Sequence, residues 1–335
     1  MRFALSGEQV DFSASIHDLL GDADTPTAIR GWADGRHDAG FELWRKLAEL
    51  GVTALAVPEQ HGGFGAEPVD LAVAFEALGY HAVPGPIVES IAALPVLLAD
   101  CDDPALAERW LPSLATGESI GTLACPPHVP CALDADVADI RIYVEGGVVH
   151  EFVPAAVGTV SSVDRARRLY RVDGSSTTSR AEVAAGRTLN YGAFATAAQL
   201  LGAGMHLLDS SVSYAKQRRQ YGRPIGQYQA IKHLLADVAT QLELARPLLH
   251  GAAVALAHSA STSDRDVSAA RITAADAAYL AARTALQVHG AIGYTAEHDL
   301  GLLLTKVRAL QAAWGTQAFH RARVLEALIS ERAVS

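Results

Sequence analysis

The stretch Arg218-Arg-Gln-Tyr221-Gly222-Arg-Pro224-Ile-Gly-Gln227-Tyr-Gln229 interrupts a long helical pattern in the second half of the chain. Its residues predict a helix that ends at Gly222, a turn through Pro224 and a second helix starting near Gln227. A helix C-terminus carries partial negative charge, so a phosphate bound here needs the guanidinium of Arg218. Read alone, the same residues also describe a capping glycine beside a solvated basic turn. Downstream, Gln287-Val-His-Gly290-Ala291-Ile-Gly293-Tyr294 closes another helix with two glycines bracketing a turn. Glycine lets a ligand approach the backbone closely, though a plain helix end uses it as well. A third glycine-rich loop, Pro58-Glu59-x-x-Gly62-Gly63-x-Gly65, follows the apolar run from Val52 to Val57.

Working outward, residues 1–118 read as helical. Ser6 with Gln9 makes a capping box. Phe41, Leu43, Trp44, Leu47 and Leu50 trace one helix face closed by Gly51, and Asp103-Pro104 opens a further helix. Residues 119–188 change character: Ile140, Ile142 and Val144 alternate with polar residues, then Gly146-Gly147 precedes Val148, Val149, Phe152 and Val153. That is a hairpin signal in a small β region. From 189 to 335 the helical period returns, with four long helices near 191–220, 226–258, 263–290 and 299–331. Short connections make these an antiparallel bundle. The expected fold is therefore mainly α: an N-terminal helical domain, a shortened middle β region and a C-terminal four-helix bundle.

Composition narrows the function. The 335 residues suit two or three domains, and half are hydrophobic while 19% are charged, so a large core can form. A net charge of −10 lacks the basic footprint of a nucleic-acid binder. Cys101, Cys125 and Cys131 are too few and odd in number for a disulfide framework, which suits a reducing compartment. Cys125-Pro-Pro-His128-Val-Pro-Cys131 offers three ligand types at a spacing no standard zinc site uses, so no metal is expected. Without an apolar signal region or a bilayer-length apolar run, the sequence predicts a soluble, cytoplasmic protein with no membrane contact.

The three glycine-rich motifs, in this order around a β segment, resemble those of the acyl-CoA dehydrogenase family. The resemblance implies FAD as cofactor and α,β-dehydrogenation of a CoA thioester. A carboxylate removes the α-proton, the β-hydride passes to the flavin, and hydrogen bonds polarise the thioester carbonyl. It also implies cofactor contacts for Arg218 on the pyrophosphate, reached across a dimer interface, and for Tyr221, Gln229, Gln287, Gly290 and Gly293. Thr316 would meet the ADP ribose. Ala291 stands where the family has a second glycine, and the Pro58-Glu59 loop is a structural signature.

Two features depart from the family. Its base is a glutamate in a Tyr-Glu-Gly-Thr segment, where this chain has Ala313-Trp314-Gly315-Thr316. An indole N–H donates only and cannot take a proton. The family's other base position falls near Gly192 or Ala193, and neither is acidic. The flavin-packing Thr-Glu-Pro and Trp loops have no counterpart between 119 and 187. No catalytic residue is therefore expected in this chain. The resemblance points to the degenerate, flavin-sharing subunit of an α2β2 heterotetramer. Its catalytic homologue would bind most of the acyl-CoA, with a steroid-derived acyl group in view. Trp314 would fill the space of the acyl chain, or simply pack in the core. Two alternatives stand beside this: a homo-oligomeric flavoenzyme with a relocated base, for which Glu297 is the available acid, and a scaffold that has lost flavin.

Overall fold

The computed structural model describes residues 4–153, 157–172, 177–295 and 297–334. Helix α1 (Gly7–Gly21) starts from the capping box, with the Ser6 hydroxyl accepting from Gln9 N and the Gln9 side chain accepting from Ser6 N. α2 (Thr25–Ala33) and α3 (Asp38–Glu49) follow; Leu43, Trp44 and Leu47 form the buried face of α3. Phe41 departs from the expected face: it is exposed, edge-on to Trp32. α4 (Pro68–Tyr80) is buried on nearly every side. A π-turn, Glu89–Ala93, runs directly into α5 (Leu94–Asp100). α6 (Pro104–Ala115) begins at the Asp103 cap with Pro104 in its first turn.

Strands follow: β1 (Gly121–Ala124), β2 (Ala132–Leu133), β3 (Ile140–Glu145), β4 (Val148–Phe152), β5 (Val157–Val160), β6 (Leu169–Val172) and β7 (Thr177–Glu182). They form a four-stranded sheet, β1-β3-β4-β7, and a three-stranded one, β2-β6-β5. The hairpin read from the sequence is β3–β4, turning through Gly146 and Gly147 with φ of 60° and 84°. Two successive positive φ values match the twist of the strands, and only glycine adopts them without strain.

The last part is helical: α7 (Gly186–Gln217), α8 (Gln229–Ala257), α9 (Ser263–His289), α10 (Leu300–Leu310) and α11 (Gln317–Val334). Two expectations are corrected here. α7 ends at Gln217, and Gly222 is no helix cap: Arg219–Gln220 (β8) pairs with Arg223–Pro224 (β9), so Tyr221 (φ 50°) and Gly222 (φ 82°) form a hairpin turn. The expected fourth helix, 299–331, is broken in two. Trp314 and Gly315, at φ of 56° and 99°, are left-handed and cannot continue a right-handed helix.

α7, α8 and α9 pack on one another, α11 packs on α9, and α4 packs on α7. The α4–α7 crossing needs Gly202, where a Cβ would lie 1.8 Å from the carbonyl oxygen of Glu76. Since α7 and α9 are each antiparallel to α8, they run the same way, and Tyr214 stacks on His289 at 4.4 Å between ring centroids. The last turns of α7 and α9 thus lie side by side.

Candidate functional site

That shared end of the bundle collects six of the residues singled out in the sequence. Arg218 ends α7, its side chain exposed and without a hydrogen bond or ion pair among the described residues. Tyr221 tips the β8–β9 hairpin, 93% exposed. Gln229 opens α8 and Gln287 lies in the last turn of α9, both exposed. Gly290 caps α9 at φ 64° and ψ −139°, a conformation reserved for glycine, with open space where a Cβ would stand. Gly293 is different: it is buried, and a Cβ there would press on Leu300, Leu286 and His289 at 3.1–3.3 Å, so packing explains it. Tyr294 (77% exposed) and Ile292 (44%) add apolar surface beside the free guanidinium of Arg218, with Arg219 and Arg223 also exposed on the hairpin.

Trp314 lies elsewhere, 2% exposed, in the break between α10 and α11. Its turn is held from beneath. Arg271, wholly buried, donates through Nη2 to the carbonyls of Leu310 and Ala313 (3.0 Å to the latter). A cation at a helix C-terminus satisfies orphan carbonyls and meets the negative end of the dipole. Burial without an acidic partner pushes this guanidinium down to about 10. His320 lies 2.9 Å through Nε2 from the Trp314 carbonyl and 3.1 Å through Nδ1 from Ser268 Oγ. Burial, helped by Arg271, pushes His320 down to about 3. The ring is therefore neutral, donating from Nε2 to Trp314 and accepting at Nδ1 from Ser268.

The indole rests on Gly192 of α7. A Cβ at Gly192 would lie 2.1–2.4 Å from three indole ring carbons. Trp314 and Gly192, which the sequence resemblance set at or near the family's two base positions, are thus in contact here. On its polar edge, Trp314 Nε1 donates to Glu89 Oε1 at 3.2 Å. Glu89 belongs to the π-turn before α5, is 3% exposed, and its Oε2 has no hydrogen-bond partner. Burial raises its pKa against the lowering pull of Arg167, and favours the protonated form. Lys306 lies in the same buried region; its Nζ donates to the carbonyls of Ala82 and Val83 (3.4 and 2.5 Å), and burial pushes it down to about 8.

Sequence reading missed Glu89, although a signal existed. It is the one charged residue between His81 and Asp100, within a run that is otherwise apolar or small. Glu297 and Asp299, the acids considered earlier, are exposed in the loop after α9, and Asp299 pairs with Arg30 at 2.6 Å. Neither is near Trp314.

A cavity of about 650 Å³ opens beside Glu89 and Trp314. The 128–133 loop, residues 161–169 and the α10–α11 break wall it. His128 stacks on Phe319 at 3.8 Å, and Thr316 lines the wall while its hydroxyl accepts from Phe319 N at 3.2 Å. Thr316 thus caps α11, a role not read from the sequence. It is also separated from the other candidate residues. Gly192, beneath Trp314, and Gln217 bracket most of α7, and the 25 residues between them at 1.5 Å each put these two ~38 Å apart. That exceeds an extended flavin dinucleotide, so within one chain Thr316 and Arg218 cannot touch the same one. Among the described residues no three His, Cys, Asp or Glu side chains gather as a metal cage, and no helix is long and apolar enough to cross a membrane.

Helical N-terminal part, small sheets, and a bundle carrying these turns define an acyl-CoA dehydrogenase fold. Residues 6–118 match the acyl-CoA dehydrogenase N-terminal domain and residues 182–329 the acyl-CoA dehydrogenase C-terminal domain, and the chain belongs to this family. Among its relatives, acyl-CoA dehydrogenase IpdE2 of Mycolicibacterium smegmatis is 34% identical over 280 residues, covering 83% of this chain and 85% of that protein. The fold also matches two solved structures over 98% of this chain and 99% of theirs. One is the Tcur3481-Tcur3483 steroid ACAD G363A variant (TM-score 0.84, 23% identity). The other is the ChsE4-ChsE5 complex from Mycobacterium tuberculosis (TM-score 0.81, 24% identity). FAD is the cofactor of the family. The residues present fit part of such a group: an unpaired guanidinium at Arg218 suits a pyrophosphate, and the open turn at Gly290 admits close approach. The other half of a cradle lies ~38 Å away, at the far end of α7.

Proposed function

We propose that this chain is the flavin-sharing, non-catalytic subunit of an FAD-dependent acyl-CoA dehydrogenase, paired with a catalytic homologue in an α2β2 assembly. The observation that carries the reading is the separation of the two ends of α7. Arg218, Tyr221, Gln229, Gln287 and Gly290 converge on an exposed end of the bundle, where a second chain would supply the rest of a site. Exposed apolar residues along the bundle support a partner surface: Leu244 and Leu248 on α8, Tyr279 on α9, and Leu325, Leu328 and Ile329 on α11. Heteromeric solved neighbours are consistent with it.

In this reading the bound flavin supplies the redox chemistry. Arg218 neutralises pyrophosphate charge from across the interface. Gln287 hydrogen-bonds the cofactor, Gly290 lets the backbone close on it, and Tyr221 with Gln229 shapes the turn. The partner supplies the base and most of the acyl-CoA contacts. The acyl group is steroid-derived, as the description of one neighbour as a steroid ACAD suggests. A self-sufficient enzyme with a relocated base is the second reading, and Glu89 replaces Glu297 as its candidate. Glu89 is a poor base, because burial favours its protonated form and Trp314 occupies one oxygen.

The test is flavin absorbance of the chain purified alone and after co-expression with a full-length homologue that carries the glutamate. A colourless lone chain and one FAD per pair of chains in the complex support the proposal. A yellow lone chain that oxidises an acyl-CoA overturns it in favour of the second reading.

A further inference from the structure

The chain is acidic as a whole, at −10, yet its charges are unevenly placed. Between Ser210 and Ala236 stand five of its 27 Lys and Arg and none of its 37 Asp and Glu. They are Lys216 in the last turn of α7, Arg218 at its end, Arg219 and Arg223 on the β8–β9 hairpin, and Lys232 in the first turn of α8. Arg283 joins them from α9, where it precedes Gln287 by four residues and so shares its face. All six are exposed, and none has an ion pair among the described residues. Elsewhere in the bundle the pattern is the opposite: Arg187 pairs with Asp100, Arg246 with Glu76, Arg265 with Asp266 and Arg323 with Asp264. Of the acids on the flanking segments, Asp209 accepts from Tyr80 and Asp299 pairs with Arg30, which leaves Asp237 and Glu297 against six cations.

The hairpin also holds its guanidinium groups in place. Arg223 lies over the Tyr228 ring, 4.2 Å from its centroid, and the Tyr228 hydroxyl donates to the Gln220 carbonyl at 3.1 Å. Arg219 Nη2 donates to the Gly222 carbonyl at 3.4 Å. Like charges fixed side by side repel one another until an opposite charge is brought to them, and side chains already set in place lose little freedom on binding. Tyr221, Ile292 and Tyr294 stand exposed among these cations, and Tyr with Arg is the composition of protein interfaces rather than of free surface. A flavin pyrophosphate, to which Arg218 is assigned, carries only a pair of charges. Arg283 stands seven residues before Gly290, ~10 Å back along α9 from that turn, so the cations cover a face and not one phosphate group.

We infer that this basic pole docks an acidic face of the catalytic partner chain, and that its charge selects that partner. The inference rests on the shared-flavin reading, which brings a second, different chain to this end of the bundle. Two copies of this chain joined at the pole would set these cations against their equivalents, so self-pairing there is disfavoured. Nucleic acid is the wrong polyanion, because the rest of the chain is acidic and would repel it.

The experiment measures the affinity of this chain for the full-length homologue that carries the glutamate, from about 0.1 M to about 1 M NaCl. Over that range the Debye length falls from about 10 Å to about 3 Å. The native pair should weaken about tenfold or more. Arg219→Glu with Arg223→Glu should weaken the pair about as much at low salt and remove most of the salt dependence, leaving flavin content per assembled pair unchanged. Lys232→Glu with Arg283→Glu should act the same way from the helices. Thermal melts establish that each variant is folded, and if the hairpin variant is not, the helix variant carries the test. Salt-indifferent affinity, or charge-reversed chains that assemble as tightly as the native one, overturns the inference. Charge-reversed pairs that assemble normally but lose flavin also overturn it and assign these cations to the cofactor phosphates. A native pair that forms without flavin sinks the shared-flavin reading instead, and is seen before any variant is made.

Discussion

Replacing Gly192 by alanine should change sign with the residue at position 314. In the native chain a methyl at 192 would meet the Trp314 ring at 2.1–2.4 Å, whereas carbon atoms pack at about 3.5–4.0 Å. The indole cannot step aside: Glu89 holds its Nε1, and His320 and Arg271 hold its turn. Overpacking of this kind is destabilising by about 1–3 kcal/mol. Alanine within a helix otherwise stabilises by about 1 kcal/mol relative to glycine. Trp314→Ala alone should cost about 3–5 kcal/mol, as for a large buried aromatic. Adding Gly192→Ala to it should recover about 1 kcal/mol, because only the helix term remains. The coupling energy of the cycle is then the overpacking term itself, about 1–3 kcal/mol. Thermal and guanidinium unfolding of the four proteins measure it. If Gly192→Ala stabilises the native chain, or costs the same in both backgrounds, the ring is not where we place it.

Other expectations follow from the same geometry. Arg218→Gln should leave the melting temperature of the lone chain within about a degree, its side chain being exposed and unpaired among the described residues, yet lower the FAD content of the two-chain complex by tenfold or more; unchanged flavin content would remove Arg218 from the cofactor site. Trp314→Glu should not make the lone chain a dehydrogenase, because it sets a second carboxyl beside Glu89 in a buried site and loses the indole packing; turnover of an acyl-CoA by that variant would refute this. Stability should fall with acid. His320 has a folded pKa of about 3 and His81 of about 4, both depressed by burial from 6.5. The unfolded chain therefore takes up protons first, so the contribution is complete above about pH 6.5 and lost toward those values, at no more than about 1.4 kcal/mol per histidine per pH unit. Guanidinium midpoints at pH 7.5 and 5.0 should differ more for the native chain than for His320→Gln, and equal differences would dismiss His320.

Much of the fold was legible because its signals are local. The Ser6–Gln9 box, the Asp103-Pro104 start and the Gly146-Gly147 turn each act within four residues, and each appears as read. Tyr221-Gly222 was misread because a glycine after an apolar helix face signals a cap and a hairpin turn equally well. The break at Trp314 was hidden by the alanines before it, which favour helix, and is held by a buried clamp of Arg271 from α9 and His320 from the first turn of α11. The candidate site was legible as motifs but not as places. Only the run of α7 shows that Thr316 and Arg218 lie at opposite ends, and only tertiary contact brings Glu89 to Trp314 across 225 residues of chain.

The contact among Glu89, Gly192 and Trp314 also bears on how such a chain can evolve. Each residue has become the condition for the others: the indole needs the missing side chain of Gly192 and an acceptor at Glu89, and Glu89 keeps one oxygen satisfied only while the indole is there. A single substitution that puts an acid at 314 leaves a void and two neighbouring carboxyls, and a side chain at 192 collides with the ring. A change at any one of the three sites is therefore tied to changes at the other two, with less stable intermediates on each path. On the proposed function, a division of labour between two chains would be hard to undo once these residues had settled against one another.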